Sequence, residues 1–227
     1  MKRIFTFLIF SCLFATAVNA SSSASGMGFY FDTTLFPVFV NRNDTGSFTD
    51  APGVATESGI GYDVRATFGY AFLSDKSLLL GITYDTYSLT TKRDNVSGGD
   101  SGLDETTNHY QWGPTIGWLP GNWRLLFTYF TAGKKTVSTT NYDDTGVTGD
   151  VVITNTNASG YQLQIGYGFP VSPKFSLGPT LVYRTVSYAK QSKDQKLNSA
   201  ESYDDVDLYS KNVEGSLTGM FSLIFRF

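Results

Sequence analysis

The chain has 227 residues, of which 17 are basic and 20 acidic, so its formal net charge is −3. A mildly acidic chain lacks the basic patches that nucleic-acid binding requires, and we expect no nucleic-acid partner. The sequence combines 18 Phe, 14 Tyr and 23 Gly with 16% charged residues. This composition is unusual for a soluble domain and suits a protein wall with one face toward lipid.

The N-terminal segment has the parts of a secretory signal peptide. Basic residues precede an apolar run from Ile4 to Val18, and Ala20 ends a small-residue exit. We expect cleavage after Ala20. The apolar run is not expected to be a membrane-spanning helix, because it is shorter than the about 20 apolar residues that such a helix needs. A lipoprotein cleavage before Cys12 is a disfavoured alternative, since apolar residues continue past it. Cleavage after Ala20 leaves no cysteine, which excludes disulfides and thiol metal sites.

Alternation of apolar and polar residues predicts eight β-strands and no amphipathic helix. In chain order the predicted strands are Gly28–Val40, Gly59–Phe72, Leu78–Leu89, His109–Leu119, Trp123–Thr140, Asp150–Phe169, Phe175–Tyr188 and Val213–Phe227. The second strand shows the period best, with Tyr62 and Val64 on one face and Asp63 and Arg65 on the other. An apolar outer face is expected of a barrel in lipid, whereas a soluble lipocalin-like barrel would turn that face inward.

The predicted connections alternate between short and long. Short turns are expected at 74–76, 121–122 and 171–173, and long polar loops at 41–58, 90–108, 141–149 and 189–212. Short periplasmic turns and long outer loops are typical of outer-membrane barrels, and an even strand number closes the cylinder. The predicted fold is therefore all-β, an eight-stranded antiparallel up-and-down transmembrane β-barrel, with residues 1–20 as signal peptide and 21–227 as one barrel domain.

Strand parity predicts the register of two hairpins. Gly121-Asn122 fits a type II′ turn with Gly first, which places Trp118 opposite Leu125. Centring the first turn on residue 75 places Arg65 opposite Asp85, with both side chains pointing inward. Strands five and six overrun the membrane, so residues 136–140 and 151–154 are expected to pair as a protruding hairpin.

Two prolines interrupt the predicted strands. Gly113-Pro114-Thr115 and Gly178-Pro179-Thr180 repeat one tripeptide in the fourth and seventh strands. Proline donates no ladder hydrogen bond, and every strand of a closed barrel is interior to the sheet. We therefore expect β-bulges at these two sites.

Aromatic residues cluster at two heights, as in the interfacial girdles of membrane barrels. Those near the short turns are Tyr70, Phe72, Trp118, Trp123, Phe169, Phe175 and Phe225. Those toward the long loops are Tyr62, Tyr84, Tyr110, Trp112, Tyr129 and Tyr161. We expect them to anchor the barrel rather than to stack a ligand.

Charged residues of both signs are predicted to face the lumen. They are Asp32, Asp63, Asp85, Glu214, Arg65, Arg124, Arg184 and Arg226, with Gln111, Gln162 and Gln164 as polar neighbours. An eight-stranded barrel has an interior just wide enough for side chains. The charges are therefore expected to pair across the lumen as a plug rather than to line a channel.

Sequence signals for catalysis or metal binding are weak. His109, at the loop end of the fourth strand, has Ser101, Asp104 and Glu105 nearby, but no spacing ties a nucleophile to a base. We interpret His109 as a rim residue without a catalytic role. The acidic clusters at 143–144 and 204–207 lack the alternating ligands and fixed glycine of a calcium loop. We expect no enzyme activity, no cofactor and no metal, although weak cation binding by these clusters stays open.

The C-terminal strand alternates to the end, with Phe221, Leu223, Phe225 and Phe227 on one face. It resembles the closing strand of bacterial outer-membrane barrels, whose terminal Phe the barrel-assembly machinery reads, so Phe225 and Phe227 are the expected assembly signal. The whole mature chain resembles the small eight-stranded outer-membrane proteins of the OmpX/Ail group and the OmpA transmembrane domain. The resemblance rests on strand count, pattern and Phe227.

That resemblance implies export to the bacterial outer membrane and a structural or surface-interaction role through the loops. The implied partners are outer-membrane lipid and lipopolysaccharide, the assembly machinery and an unidentified surface ligand. Two alternatives stay open. One is a narrow, porin-like or OmpW-like channel for ions or small hydrophobic molecules; the other is a lipid-modifying membrane enzyme.

Overall fold

The computed structural model describes residues 28–48, 51–72, 77–95, 103–144, 147–195 and 202–227. Their strands are β1 Gly28–Phe48, β2 Ala51–Phe72, β3 Leu78–Asn95, β4 Leu103–Trp118, β5 Trp123–Phe130, β6 Ala132–Asp144, β7 Val147–Tyr167, β8 Phe169–Ser172, β9 Phe175–Gln195 and β10 Tyr203–Arg226. Within these segments no helix is long and apolar enough to cross a membrane. The predicted signal peptide and its cleavage site at Ala20 lie outside the described residues.

The ten strands form one closed antiparallel ring of eight. Strands β5 and β6 both pair with β4 on one side and β7 on the other, so they are two halves of one wall strand. Strands β7 and β8 both pair with β9 and are likewise halves of one strand. Pairing of β1 with β10 closes the ring. The predicted eight-stranded antiparallel barrel is therefore confirmed.

The hairpin from β4 to β5 follows the predicted turn chemistry. Gly121 has a positive φ of 59°, which suits a glycine in the first central position of a type II′ turn. The amide of Trp123 donates to the carbonyl of Pro120 at 3.0 Å, and Trp118 lies opposite Leu125. Both pairings follow the register that strand parity predicts.

The two proline sites, where bulges are predicted, differ from each other. Pro114 keeps its register with β3, and the extra residue is Thr131 on the neighbouring strand, between β5 and β6. Pro179 stays in register with β10, and the neighbouring strand is interrupted at residue 168 without an added residue. In both cases the adjacent strand accommodates the proline. The expected bulge is therefore present at the first site, on the strand beside Pro114, and absent at the second site.

Four hairpin arms replace most of the predicted long loops. Pairing of β1 with β2 continues to Phe48 and Ala51, and pairing of β3 with β4 continues to Arg93 and Leu103. Pairing of β6 with β7 extends through the predicted segment to Asp144 and Val147, and β9 pairs with β10 as far as Lys193 and Tyr203. The predicted protruding hairpin is confirmed. The expectation that the other polar segments are loops is wrong, because they continue as paired strands.

The outer surface of the barrel carries an apolar belt. Side chains that point outward are exposed, such as Ile82 at 55%, Trp118 at 56% and Ile165 at 47%, while their neighbours along the strand are buried. Nine of the aromatic residues predicted for the two girdles are among the exposed ones: Tyr62, Tyr84, Tyr110, Trp112, Trp118, Trp123, Tyr129, Tyr161 and Phe169. An exposed apolar belt between aromatic girdles on a closed barrel is the surface of a membrane-spanning protein.

The ring closes through a short seam. Strand β1 pairs with β10 only from Tyr30 opposite Arg226 to Leu35 opposite Phe221, among the described residues. Beyond this point β1 continues against β2 alone, and β10 continues against β9 alone. The two strand edges therefore separate above the pair Leu35–Phe221, on the side of the arms.

Candidate functional site

The lumen is filled by side chains in successive layers, which we describe from the short-turn end toward the arms. An apolar cluster closes the short-turn end; its members are Tyr30, Ala71, Leu79, Leu119, Leu126 and Ile224. All of them are at most 5% exposed. Arg226 lies at this end as well, where it donates to the carbonyl of Gly121 at 2.9 Å. This apolar cluster blocks the barrel at its short-turn end.

Above it lies an ion pair between Arg124 and Asp32. The guanidinium Nε is 3.0 Å from the carboxylate Oδ2, and both side chains are at most 1% exposed. The same oxygen accepts hydrogen bonds from Gln164 at 2.9 Å and from the hydroxyl of Tyr30 at 3.1 Å. Arg124 also donates to Thr180 on β9. One basic side chain thus bridges opposite walls of the barrel.

A belt of four threonines forms the next layer. The hydroxyl of Thr83 lies 2.8 Å from that of Thr67, 2.6 Å from that of Thr115 and 3.2 Å from that of Thr128. Thr115 and Thr128 are 2.8 Å apart. These residues lie on four consecutive wall strands, so the hydroxyls bond around the inner wall. All four are buried.

The main charge cluster surrounds Asp85. Its Oδ2 accepts from Arg65 at 3.3 Å, from Arg184 at 2.8 Å and from Gln111 at 3.0 Å. Arg65 also bonds Asp63 at 3.0 Å, and it contacts the sulfur of Met220. The cluster joins two carboxylates to two guanidiniums, with Gln111 as a further donor. Such charges are stable in a narrow lumen because each has an opposite partner.

His109 belongs to this cluster rather than to the rim. It is 7% exposed, its Nε2 is 2.9 Å from Arg184 and 4.0 Å from Asp85, and its ring stacks on Tyr87 at 5.0 Å. The expected rim position is therefore wrong. None of these ring contacts involves a serine, threonine or cysteine, so the described residues do not supply His109 with such a nucleophile.

Glu214 pairs with a residue that sequence reasoning missed. Lys135 on β6 contacts it at 2.5 Å across the lumen. The bulge at Thr131 shifts the alternation by one, so Lys135 points inward where strict alternation from Arg124 would turn it outward. All seven predicted residues of the lumen charge network, Asp32, Asp63, Arg65, Asp85, Arg124, Arg184 and Glu214, thus have an ion-pair partner in the lumen.

A cavity of about 420 Å³ lies between the charge cluster and the open part of the seam. Asp63, Gln111, His109 and Arg184 line it from the cluster, with Lys135 and Glu214 beside them. Its apolar wall is formed by Phe36, Val38, Tyr87, Val186 and Tyr188. Residues Gly215, Ser216 and Thr218 of β10 contribute to the lining. The cavity therefore includes side chains from both edges that separate at the seam.

The structure describes the side chains of the predicted acidic cluster at 204–207, whereas those of the cluster at 143–144 lie outside the described residues. Asp205 accepts from Lys190 at 2.7 Å, and Asp204 accepts from Ser192 at 2.7 Å. No group of three or more His, Cys, Asp or Glu side chains within the described segments is placed to hold a metal ion.

The C-terminal phenylalanines lie at the seam. The ring of Phe225 packs against Phe31 at 5.9 Å and Phe175 at 4.9 Å, and stacks on Phe227 at 6.4 Å. The amide of Phe227 donates to the carbonyl of Phe29 at 2.9 Å, and Lys174 lies 5.9 Å above its ring. The last residue thus extends the contact between β10 and β1.

Comparisons with known proteins found structural neighbours of low sequence identity. No family model matches the chain, and no curated protein matches it. A major outer membrane protein from Thermus thermophilus is 13% identical, covering 88% of this chain and 99% of its own, with a TM-score of 0.48. The outer membrane protease OmpT from Escherichia coli is 10% identical, covering 89% and 94%, with a TM-score of 0.43. The β domain of the Bordetella autotransporter BrkA is 12% identical, covering 89% and 99%, with a TM-score of 0.28.

Proposed function

We propose that this chain is a non-enzymatic bacterial outer-membrane protein that acts at the cell surface through its four hairpin arms. The observation that carries the proposal is the length of the arms beyond the outer girdle. Tyr62 of the outer girdle pairs with Pro37 on β1. From the next residue, Val38, β1 stays paired with β2 as far as Phe48. At about 3.3 Å per residue this is about 35 Å of strand, well above the belt that lipid covers.

The lumen supports a structural role better than transport. An apolar cluster, the Arg124–Asp32 pair, the threonine belt and the Asp85 cluster follow one another along the barrel, and each is buried. An ion crossing the barrel would have to separate several buried charge pairs, and each unpaired buried charge costs about 3–5 kcal/mol. These layers speak against a continuous channel. An OmpX/Ail-like surface role, with lipid and lipopolysaccharide around the belt, is part of the same proposal.

The arms offer a direct test. Two versions of the protein would be expressed in cells that lack it, the full chain and a version whose arms end just above Tyr62, Tyr84, Tyr129 and Tyr161. We expect both to fold, and only the full chain to restore surface properties such as resistance to bile salts. Full restoration by the trimmed barrel would refute the proposed role of the arms.

A second readout addresses the enzymatic alternative. Purified full-length barrel in lipopolysaccharide-containing vesicles would be assayed for lipid hydrolysis, acyl transfer and peptide cleavage. We expect no turnover. Any activity that His109→Gln abolishes while the barrel stays folded would replace the non-enzymatic proposal.

A further inference from the structure

The wall of this barrel has an opening toward the membrane. Above Leu35 and Phe221 the described parts of β1 and β10 no longer pair. A Cβ added at Gly219, on the outward face of β10, would meet no described atom within 4 Å. Leu217, two residues away, is 67% exposed. The lower part of this opening is flanked by lipid-facing residues.

Inward-facing apolar residues become accessible at the opening. Phe36 alternates with outward-facing Leu35 and therefore points to the lumen, yet it is 40% exposed. It lines the 420 Å³ cavity together with Val38 on its own strand and Thr218 on β10. The cavity is thus continuous with the gap between the strands. Its volume lies within the about 300–1,000 Å³ typical of sites for small molecules.

The position of the opening favours a ligand that enters from the membrane. Unpaired strand edges are costly in hydrocarbon because no water is present to bond their amides and carbonyls. An amphiphile whose polar group reaches the lumen and whose chain leaves through the gap would cover Phe36 and Val38. It would bring a hydrogen-bonding group to the polar side of the cavity.

The lining also defines the polar group. Arg184 is paired with Asp85, and Lys135 is paired with Glu214, so an anionic group would have to displace a carboxylate. Three lining residues have a buried side-chain oxygen that no described residue bonds: Asp63 Oδ1, Gln111 Oε1 and Ser216 Oγ. The carboxylate and amide oxygens only accept hydrogen bonds, so they call for a donor. An uncharged hydroxyl supplies one, whereas a carboxylate does not.

We propose that the cavity behind the β1–β10 opening binds one uncharged, hydroxyl-bearing amphiphile that enters from the surrounding lipid. Its hydroxyl lies near Asp63, Gln111 and Ser216, and its chain passes between Phe36 and Thr218 into the membrane. This site is separate from the arms, so it does not depend on the surface role proposed above.

The test uses the full-length barrel in lipid nanodiscs titrated with 1-dodecanol, with empty nanodiscs as the partition background. We expect saturable binding at one site per barrel. Dodecanoate at alkaline pH and dodecane should bind at least about tenfold more weakly, because the first brings an acceptor and a charge and the second brings no polar group. Binding indistinguishable from the empty nanodisc, or tighter binding of dodecanoate, would overturn the proposal.

Matched variants locate the site. Ser216→Trp fills the cavity and should abolish saturable binding, while Leu217→Trp, on the same strand but facing lipid, should leave it unchanged. Migration on an unheated gel reports folding. If Ser216→Trp does not fold, the pair Phe36→Ala and Leu35→Ala serves the same purpose, with weaker binding expected only for Phe36→Ala. If both variants of the folded pair bind 1-dodecanol equally, the assignment is overturned. It is also overturned if the barrels form dimers through their open β1 and β10 edges.

Discussion

Arg65 on β2 lies directly opposite Asp85 on β3, with Nε 3.3 Å from Oδ2, and neither side chain is more than 1% exposed. The pair follows from parity alone, since both residues are ten positions from the centre of the intervening turn. Its surroundings do not follow from parity. Arg65 also holds Asp63, and Asp85 also holds Arg184.

The shared partners predict an asymmetric mutant cycle. Arg65→Ala should lower the free energy of unfolding by about 3–5 kcal/mol, because it leaves buried charge unpaired. Adding Asp63→Ala should recover more of this loss than adding Asp85→Ala. Without Arg65, Asp85 still has Arg184 as a partner. Asp63 has none, because Arg65 is its only ion-pair partner within 4.0 Å among the described residues. Urea unfolding in lipid vesicles measures each step.

An exposed pair is the control for that cycle. Lys92 and Asp104 are 3.7 Å apart with side chains 66% and 43% exposed, and Lys92→Ala should cost less than about 1 kcal/mol. Strictly additive effects of Arg65→Ala and Asp63→Ala would show that the two side chains do not interact.

The threonine belt predicts a large effect of one hydroxyl. Thr83→Val keeps the side-chain shape but removes the group that contacts Thr67, Thr115 and Thr128. We expect a loss of about 1–3 kcal/mol, since buried hydroxyls would lose a partner. Thr90→Val, whose hydroxyl bonds Thr106 in an exposed pair at 3.2 Å, should be nearly neutral. Equal unfolding midpoints for both variants would argue against the belt.

The sequence predicts the barrel better than it predicts the lumen. Alternation and turn chemistry suffice for eight strands and for the pairing of Trp118 with Leu125, because both depend on local geometry. The inward position of Lys135 depends on the bulge at Thr131, which the sequence signals only through Pro114 on the neighbouring strand and not on the strand that carries Lys135. The buried position of His109 depends on how far the wall continues, because the polar sequence beyond it reads as loop although it stays in strand.

The opening at the seam is invisible in the sequence for a related reason. Parity assigns Phe36 and Val38 of β1 to the lumen although residues 35–40 are all apolar, and it assigns Thr218 and Ser216 of β10 to the lumen as well. Alternation reports which way a side chain points, not whether a neighbouring strand is present. The separation above Leu35 is a property of two chain ends that meet only through tertiary structure.

The terminal strand predicts an assembly defect. Phe227→Asp removes the ring that stacks on Phe225 and places a charge beside the β1–β10 contact. We expect the amount of folded barrel in the outer membrane to fall severalfold, whereas removal of residues 190–207 from the arm should leave it nearly unchanged. Quantification of the heat-modifiable form in membrane fractions compares the two, and equal levels would contradict a role of Phe227 in assembly.

Topology predicts which positions face the outside. Because the predicted mature chain contains no cysteine, single cysteines report position without background. Thr140→Cys, on the β6 arm, should react with a membrane-impermeant maleimide in intact cells. Asn122→Cys, in a short turn, should react only after the outer membrane is permeabilised. The reverse labelling pattern would show that the short turns, and not the arms, face the outside of the cell.

The central claim is that side chains close the lumen, and conductance across a planar bilayer tests it most directly. We predict that the wild-type barrel gives no steady current steps, because the apolar cluster at Tyr30 and Leu126 and the Arg124–Asp32 pair block the path. Native migration on an unheated gel, after recovery of the protein from the same lipid vesicles, shows that the barrels are folded and reconstituted. Stable open-pore steps from the wild-type protein would contradict the account.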